Sequence, residues 1–186
     1  MNVQPPAHMD KPSFLAWLQG REGHYELAGG RVVEMSGASF AHALIVSNML
    51  ALLHGQLDRQ KWVALAHFGI DAGPETLRYP DLMVELAGGG AHDYTATAPA
   101  LVAEVLSPST AQTDLGDKTA EYLRLPSLKA YLVFDQSEHK AHVWVRQGPS
   151  FTSTPHVITR RDDIVRIAEL GLILPLAAVY AGIDFD

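Results

Sequence analysis

Two carboxylates lie in apolar runs where a buried strand would not ordinarily carry charge. Asp81 follows Pro80 in RYPDLMVEL, and Glu104 lies inside LVAEVL. An ionised carboxylate in an apolar strand costs several kcal/mol unless a cation or hydrogen bonds compensate it. We therefore expect a positive group between Asp81 and Glu104, which is a divalent metal, the ammonium of Lys118, or both.

The spacing along the two runs predicts how the acids meet. Residues two apart in a strand share a face, so Glu104 and Leu106 point one way and Val105 points the other. If the two strands pair, Asp81 and Glu104 converge at one end of the sheet. With the backbone carbonyl of Val105 they would form an oxygen-only site suited to Mg²⁺ or Mn²⁺.

A predicted helix follows the second run and carries further polar groups. Lys118 lies in its first turns, so its ammonium could reach a water or phosphate on the metal, and Tyr122 shares that helix face. This set fits metal-assisted phosphodiester hydrolysis, in which the metal activates a water and the lysine orients that water or stabilises the charge on phosphorus. Glu26 and His42 are outer candidates for the same site.

Each candidate also has a purely structural interpretation. Asp81 could cap a strand end or accept from loop amides, Lys118 could be a solvated helix lysine, and His42 could pack locally. Other chemistries are poorly supported: the nine histidines include no HExxH pattern, and Ser107 and Ser109 lack the G-x-S-x-G elbow of serine hydrolases.

Composition limits the class of protein. The 186 residues are 47% hydrophobic, which favours one domain over residues 1–186, with residues 1–9 as a disordered lead. No apolar run approaches a membrane span, no secretory signal pattern is visible, and there are no cysteines, so we expect a cytoplasmic protein. The net charge of −7 argues against a broadly basic surface for nucleic acid but leaves room for a local groove.

The hydrophobic periodicity, together with the Gly and Pro residues that end elements, predicts a mixed sheet flanked by helices, with an added N-terminal helix and hairpin. This is an α/β (α+β) class. The first predicted helix begins at Phe14, with Asp10 or Ser13 as its cap, and the second runs from Phe40 to about Leu57, with Ser39 as its cap. The third follows SPST and ends near Leu125, with Ser109, Thr110 or Asp114 as its cap. The last follows Pro175. The predicted strands are the hairpin around Gly29 and Gly30, and residues 61–66, 79–86, 101–107, 130–135, 142–146 and 151–158, with another near Ile164. Residues 67–72 extend or bend the strand before them, and residues 88–100 form a loop.

Several motifs together resemble a known family. Pro80-Asp81 followed by E-x-L at 104–106 is similar to a degenerate PD-(D/E)-x-K nuclease signature. YELAGG (25–30), YPD (79–81), EVLSPST (104–110) and the series Asp114, Lys118, Tyr122 resemble the Uma-two family of restriction-endonuclease-like proteins of bacteria. The likeness covers about residues 25–135, and EVLSPST is its most specific part.

The resemblance implies a restriction-endonuclease-like core, Mg²⁺ bound by Asp81 and Glu104, and a homodimer. The first functional hypothesis is therefore a Mg²⁺-dependent endonuclease that acts on DNA. One departure from the superfamily pattern is Leu106, which stands where a lysine is expected, and the resemblance implies that Lys118 takes that role. The alternatives are a nuclease fold without turnover that binds nucleic acid, or a structural dimer that pairs through exposed strands around Val143 and Trp144.

Overall fold

The computed structural model describes residues 7–35, 37–107 and 111–185. The helices are α1 Lys11–Leu18, α2 Phe40–Gln56, α3 Ala111–Asp114, α4 Asp117–Tyr122 and α5 Leu176–Val179. The first strands are β1 Tyr25–Ala28, β2 Arg31–Glu34, β3 Trp62–Leu65, β4 Gly69–Gly73, β5 Thr76–Arg78, β6 Leu82–Leu86 and β7 Thr95–Ala96. The remaining strands are β8 Leu101–Leu106, β9 Ala130–Asp135, β10 Ala141–Val145, β11 His156–Ile158, β12 Ile164–Ile167 and β13 Leu172–Pro175.

A six-stranded mixed sheet with the order β11-β10-β9-β8-β6-β3 forms the centre of the fold. Its β8 and β9 are parallel, and the other neighbours are antiparallel. All six residues of β8 are buried because both faces of this strand are covered. Ala103 and Val105 pack into one apolar cluster, whereas Val102 and Leu106 pack into the other, as the period of two predicts.

Helix α2 covers the first face of this sheet. Ser39 caps it by accepting a hydrogen bond from the amide of His42, as predicted, and Ile45, Met49 and Leu53 form its buried stripe. These three residues belong to the same cluster as Ala103 and Val105 of β8. This packing places the first turn of α2, with His42, near the start of β6.

A second sheet of five strands, ordered β2-β1-β5-β4-β7, carries the N-terminal hairpin. The hairpin turn needs Gly29 and Gly30 because their φ angles are 54° and 77°, a region that disfavours side chains. The chain bends at His67 to leave the central sheet, so residues 69–73 form β4 of the second sheet. Strand β5 was not predicted because its three residues sit between turn signals, yet it places Arg78 in the interior.

Some boundaries differ from the prediction. The loop predicted over 88–100 contains the short strand β7. The helix predicted to reach Leu125 ends at Tyr122 and is divided in two at 115–116, and Asp114 ends α3 rather than capping a helix. Gly116 stands at this break, where its weak helix propensity favours an interruption. The caps predicted at Ser109 and Thr110 lie outside the described residues.

Two other expectations are corrected. Residues 1–6 of the predicted disordered lead lie outside the described residues, but Met9 is buried and its amide donates to the carbonyl of Gly30. Val143 and Trp144 are also buried, and β10 pairs with β9 on one side and β11 on the other. That strand therefore has no free edge for pairing between chains.

The predicted mixed sheet with flanking helices and an added N-terminal helix and hairpin is confirmed. In the described ranges, none of the helices has both the length and the apolar character that crossing a bilayer requires.

Candidate active site

The antiparallel pairing of β6 with β8 brings the two acids together, as predicted. The register places Leu82 opposite Ala103, so Asp81 lies just before β6 and beside Glu104. The amide of Asp81 donates to Glu104 Oε2 at 3.3 Å, and the amide of Val105 donates to Asp81 Oδ2 at 2.7 Å. Both side chains are almost entirely buried. Two carboxylates therefore face each other at the sheet end with backbone amides between them.

Lys118 reaches this pair from helix α4. Its Nζ lies 3.0 Å from Glu104 Oε1, 3.3 Å from Glu26 Oε1 and 3.2 Å from Asp114 Oδ1. Leu106 is buried in the second apolar cluster, so the position where a lysine is expected contributes packing instead. The ammonium that contacts Glu104 thus comes from the neighbouring helix.

Tyr122 and His42 contact the two acids directly. The hydroxyl of Tyr122 donates to Glu104 Oε1 at 3.1 Å, and both groups are buried. Nε2 of His42 lies 3.0 Å from Asp81 Oδ1, which makes it the donor to an ionised carboxylate. Each acid is therefore held by a side chain from a different helix, α4 for Glu104 and α2 for Asp81.

Glu26 belongs to a buried charge network. One of its oxygens accepts from the amide of Tyr79 at 3.0 Å, and the other accepts from Arg78 Nη1 at 3.1 Å. Arg78 also donates two hydrogen bonds to Glu121, at 2.7 and 2.9 Å. Arg78 therefore ties β1 to α4, the helix that bears Lys118, through a bidentate ion pair.

Sequence reasoning did not assign Arg78, Asp114 or Glu121 to the site. Asp114 was interpreted as a helix cap, although its spacing of four residues from Lys118 also indicated an ion pair on one helix face. Arg78 directly precedes YPD, but one strand alone does not reveal that its guanidinium turns inward. Only the pairing of β1 with β5 brings it to Glu26.

Burial and the neighbouring charges shift the pKa values of Glu104 and Lys118. Burial, together with repulsion from Asp81, Asp114 and Glu26, raises the pKa of Glu104 to about 8 despite the attraction of Lys118. Burial disfavours the charged form of Lys118, but the adjacent carboxylates outweigh it and raise the pKa of its ammonium. Lys118 is thus a permanent cation, whereas Glu104 has a proton to lose near neutral pH.

Burial also raises the pKa of the Tyr122 phenol well above its usual value, and the charge of Glu104 raises it further. The hydroxyl therefore remains a hydrogen-bond donor to Glu104 at every pH at which the protein is expected to work.

A cavity of about 170 Å³ at this candidate active site opens onto these groups. Its described lining comprises His24, Met35, Gly37, Ala38, His42, His67, Asp81, Glu104, Val105, Ser107, Asp114 and Lys118. A ligand that enters it reaches both acids and the amine.

The donor set suits a hard divalent cation. Mg²⁺ is commonly held by one or two carboxylates, with waters and substrate phosphates completing six oxygens. Asp81 and Glu104 supply two adjacent carboxylates, and Val105 lines the same cavity. Burial first, and then the neighbouring acids, raise the pKa of Glu104, and a bound cation would offset the charge of its ionised form. Within the described ranges, however, no group of three or more acidic, histidine or cysteine side chains is arranged to hold a metal ion.

The family model Uma2, described as "Putative restriction endonuclease", matches residues 12–177. The chain belongs to this family. The match contains every residue of the site described above and extends the predicted likeness beyond residues 25–135 in both directions.

Similar proteins agree with this assignment. An uncharacterized protein of Synechocystis sp. is 31% identical over 128 residues, which cover 66% of this chain and 72% of that protein. A second uncharacterized Synechocystis protein is 22% identical over 199 residues, covering 97% and 96% of the two chains.

The crystal structure of "a putative nuclease belonging to DUF820" from Anabaena variabilis superposes with a TM-score of 0.77 at 18% identity. It covers 93% of this chain, and this chain covers 98% of it. The likeness confirms the predicted restriction-endonuclease-like fold class.

Proposed function

We propose that this Uma2 family member is a Mg²⁺-dependent endonuclease that hydrolyses phosphodiester bonds in DNA, with Mn²⁺ as a substitute metal. The observation that carries the proposal is the placement of the Lys118 ammonium 3.0 Å from Glu104, which itself contacts Asp81. Two acids and an amine thereby meet at one sheet end, inside a cavity. The description of the family supports a nuclease, and the restriction-type description favours DNA.

In this proposal, Asp81 and Glu104 hold the metal, with the carbonyl of Val105 as a further ligand. Bound Mg²⁺ would lower the pKa of a coordinated water and offset negative charge at the phosphate. The chain's own groups orient these ligands: His42 fixes one oxygen of Asp81, and Tyr122 fixes one oxygen of Glu104. Such outer hydrogen bonds hold carboxylates in the geometry that a cation requires.

Lys118 supplies the fixed positive charge. Because its ammonium remains protonated beside Glu104, its positive charge would orient the attacking water or offset the negative charge that grows on the phosphate oxygens during the reaction. Glu26 and Asp114 also contact the amine and hold it beside Glu104. Water attacks phosphorus, the bond to the leaving oxygen breaks, and the products are a phosphate monoester and a hydroxyl group.

Single substitutions test the proposal. Asp81→Ala and Glu104→Ala should each abolish Mg²⁺-dependent cleavage of duplex DNA, while circular dichroism shows that both variants remain folded. Glu22→Ala, which changes an exposed acid, is the matched control and should retain full activity. If either metal-ligand variant cleaves as fast as the unaltered protein, the proposal is wrong.

A second candidate is a nucleic-acid-binding or assembly module with the nuclease fold but no turnover. It is favoured by Leu106 at the usual lysine position and by the limited number of metal-holding side chains. Calorimetric titration with Mg²⁺ and Mn²⁺ separates the two. Binding that is lost in Asp81→Ala supports the nuclease, whereas no binding of either metal supports the module.

A further inference from the structure

We propose that His24 and His67 form a binding site for a backbone phosphate of the nucleic-acid substrate, next to the phosphate that is cleaved. The inference rests on the proposed function and specifies how the substrate is held. Both residues line the active-site cavity that contains Asp81, Glu104 and Lys118. Their rings stack with centroids 5.8 Å apart and planes inclined by 27°.

The two imidazoles are free to contact a ligand. Both residues are exposed, and neither ring makes a hydrogen bond or ion pair to any described residue. The other nitrogen donors among the described lining side chains are already engaged, since Lys118 is buried against three carboxylates and His42 contacts Asp81. Of the described side chains that line the cavity, His24 and His67 are the two with uncommitted N–H donors.

A nucleic acid needs donors at this position because the site itself is rich in negative charge. Glu104, Glu26 and Asp114 contact one ammonium, and Asp81 lies beside Glu104. The whole chain carries a net charge of −7. A phosphodiester that approaches the acids is repelled unless other groups contact its oxygens. Two stacked imidazoles at the cavity wall present N–H groups to such an oxygen.

The backbone at His67 supports a role for its ring. Among the residues that the structure describes, it is the one non-glycine residue with positive φ, at 51°. The bend between the two sheets needs that conformation, and glycine would provide it without the cost that a side chain adds. The chain instead places an imidazole there, against the ring of His24.

His24 is held in place by the hairpin. Its carbonyl accepts a hydrogen bond from the amide of Met35 at 2.9 Å, which closes the chain around Glu26. His24 therefore directly precedes β1, the strand that supplies Glu26 to Lys118. A phosphate bound there lies within one cavity of the cleavage groups, as a neighbouring phosphate of the same strand would.

Binding can be observed without cleavage. The probe is a thymidine dinucleotide with one phosphodiester, added in EDTA, and the signals are the imidazole Hε1 resonances, assigned by single His→Asn variants. We expect the His24 and His67 resonances to shift saturably while that of His156, an exposed histidine on β11, stays in place. If His24 and His67 do not move, or move no more than His156, the proposal is overturned.

Kinetics provide the second measurement. His24→Asn combined with His67→Gly should raise the KM for duplex DNA at least tenfold and leave kcat within twofold, because the pair positions substrate and does not touch the cleaved bond. Glycine at 67 keeps the bend without the ring, so the variant folds, and His156→Asn is the control. An unchanged KM overturns the proposal.

The two proposals fail separately. Shifts at His24 and His67 without any Mg²⁺-dependent cleavage would refute the nuclease and retain the phosphate site. Mg²⁺-dependent cleavage with an unchanged KM in the double variant would retain the nuclease and refute the phosphate site.

Discussion

Replacing Glu104 by glutamine should reveal the cost of keeping this carboxylate ionised in the metal-free protein. The carboxyl has a pKa of 4.5 in an unfolded chain and about 8 in the folded protein, so folding favours its protonated form. Protonation of Glu104 therefore stabilises the folded protein. This contribution to the free energy of unfolding is complete below pH 4.5 and is lost as the pH rises to about 8, with a slope of about 1.4 kcal/mol per pH unit. The total is at most about 5 kcal/mol.

Glutamine mimics the protonated acid and does not titrate, so the comparison isolates this one group. The two proteins should have similar free energies of unfolding near pH 5 in EDTA. By pH 8 the Glu104→Gln variant should be the more stable by several kcal/mol, because only the unaltered protein then buries a second negative charge beside Asp81. Other titrating groups, such as His142, are present in both proteins and cancel.

Urea denaturation followed by circular dichroism at pH 5, 6, 7 and 8 measures the difference. Added Mg²⁺ should then stabilise the unaltered protein, more strongly at pH 8 than at pH 5 because the metal competes with the proton on Glu104, and should leave the variant almost unchanged. Glu22→Gln serves as the control for an exposed acid. Parallel stability curves for the variant and the unaltered protein would refute the reasoning about Glu104.

Three further predictions concern the charges around the site and the assembly of the chain. Lys118→Met leaves three buried carboxylates without their shared cation, so urea denaturation at pH 8 should show that the free energy of unfolding falls by about 3 kcal/mol or more. An unchanged urea midpoint would contradict the observed contacts. Arg78→Lys keeps the charge but breaks the bidentate contact with Glu121, which should cost about 2 kcal/mol in the same assay, whereas a neutral result would mean that the guanidinium fork is not needed. We propose a homodimer from the family resemblance, so sedimentation equilibrium should give twice the chain mass of 20.2 kDa, and a strict monomer would exclude it.

The central sheet and the meeting of Asp81 with Glu104 could be predicted because both depend on local patterns. LVAEVL is a continuous apolar run, typical of a strand with both faces covered, and a lone acid within it signals an unusual environment. The alternation of Glu104 with Val105 then determines which face carries the charge. Sequence spacing predicts these features once β6 and β8 are taken to pair, as they do.

The rest of the site depends on contacts between elements distant in sequence. Arg78 reaches Glu26 across 52 residues, and it does so from a three-residue strand with no periodicity of its own. Asp114 allowed two local interpretations, a cap or an ion pair, and only the break at Gly116 decides between them. His67 gives no sequence signal of its left-handed backbone, since most residues of its type are extended or helical.

The amine of this site is carried by α4, a helix of six residues, instead of by the strand that bears Glu104. Leu106, the strand position that does not carry the lysine, packs in the interior. The six residues of β8 therefore both build the sheet and present Glu104. A search for related proteins by contiguous strand motifs would miss those arranged like this one. A search for an acid pair with a lysine fourteen residues downstream, on the second helix after the strand, would find them.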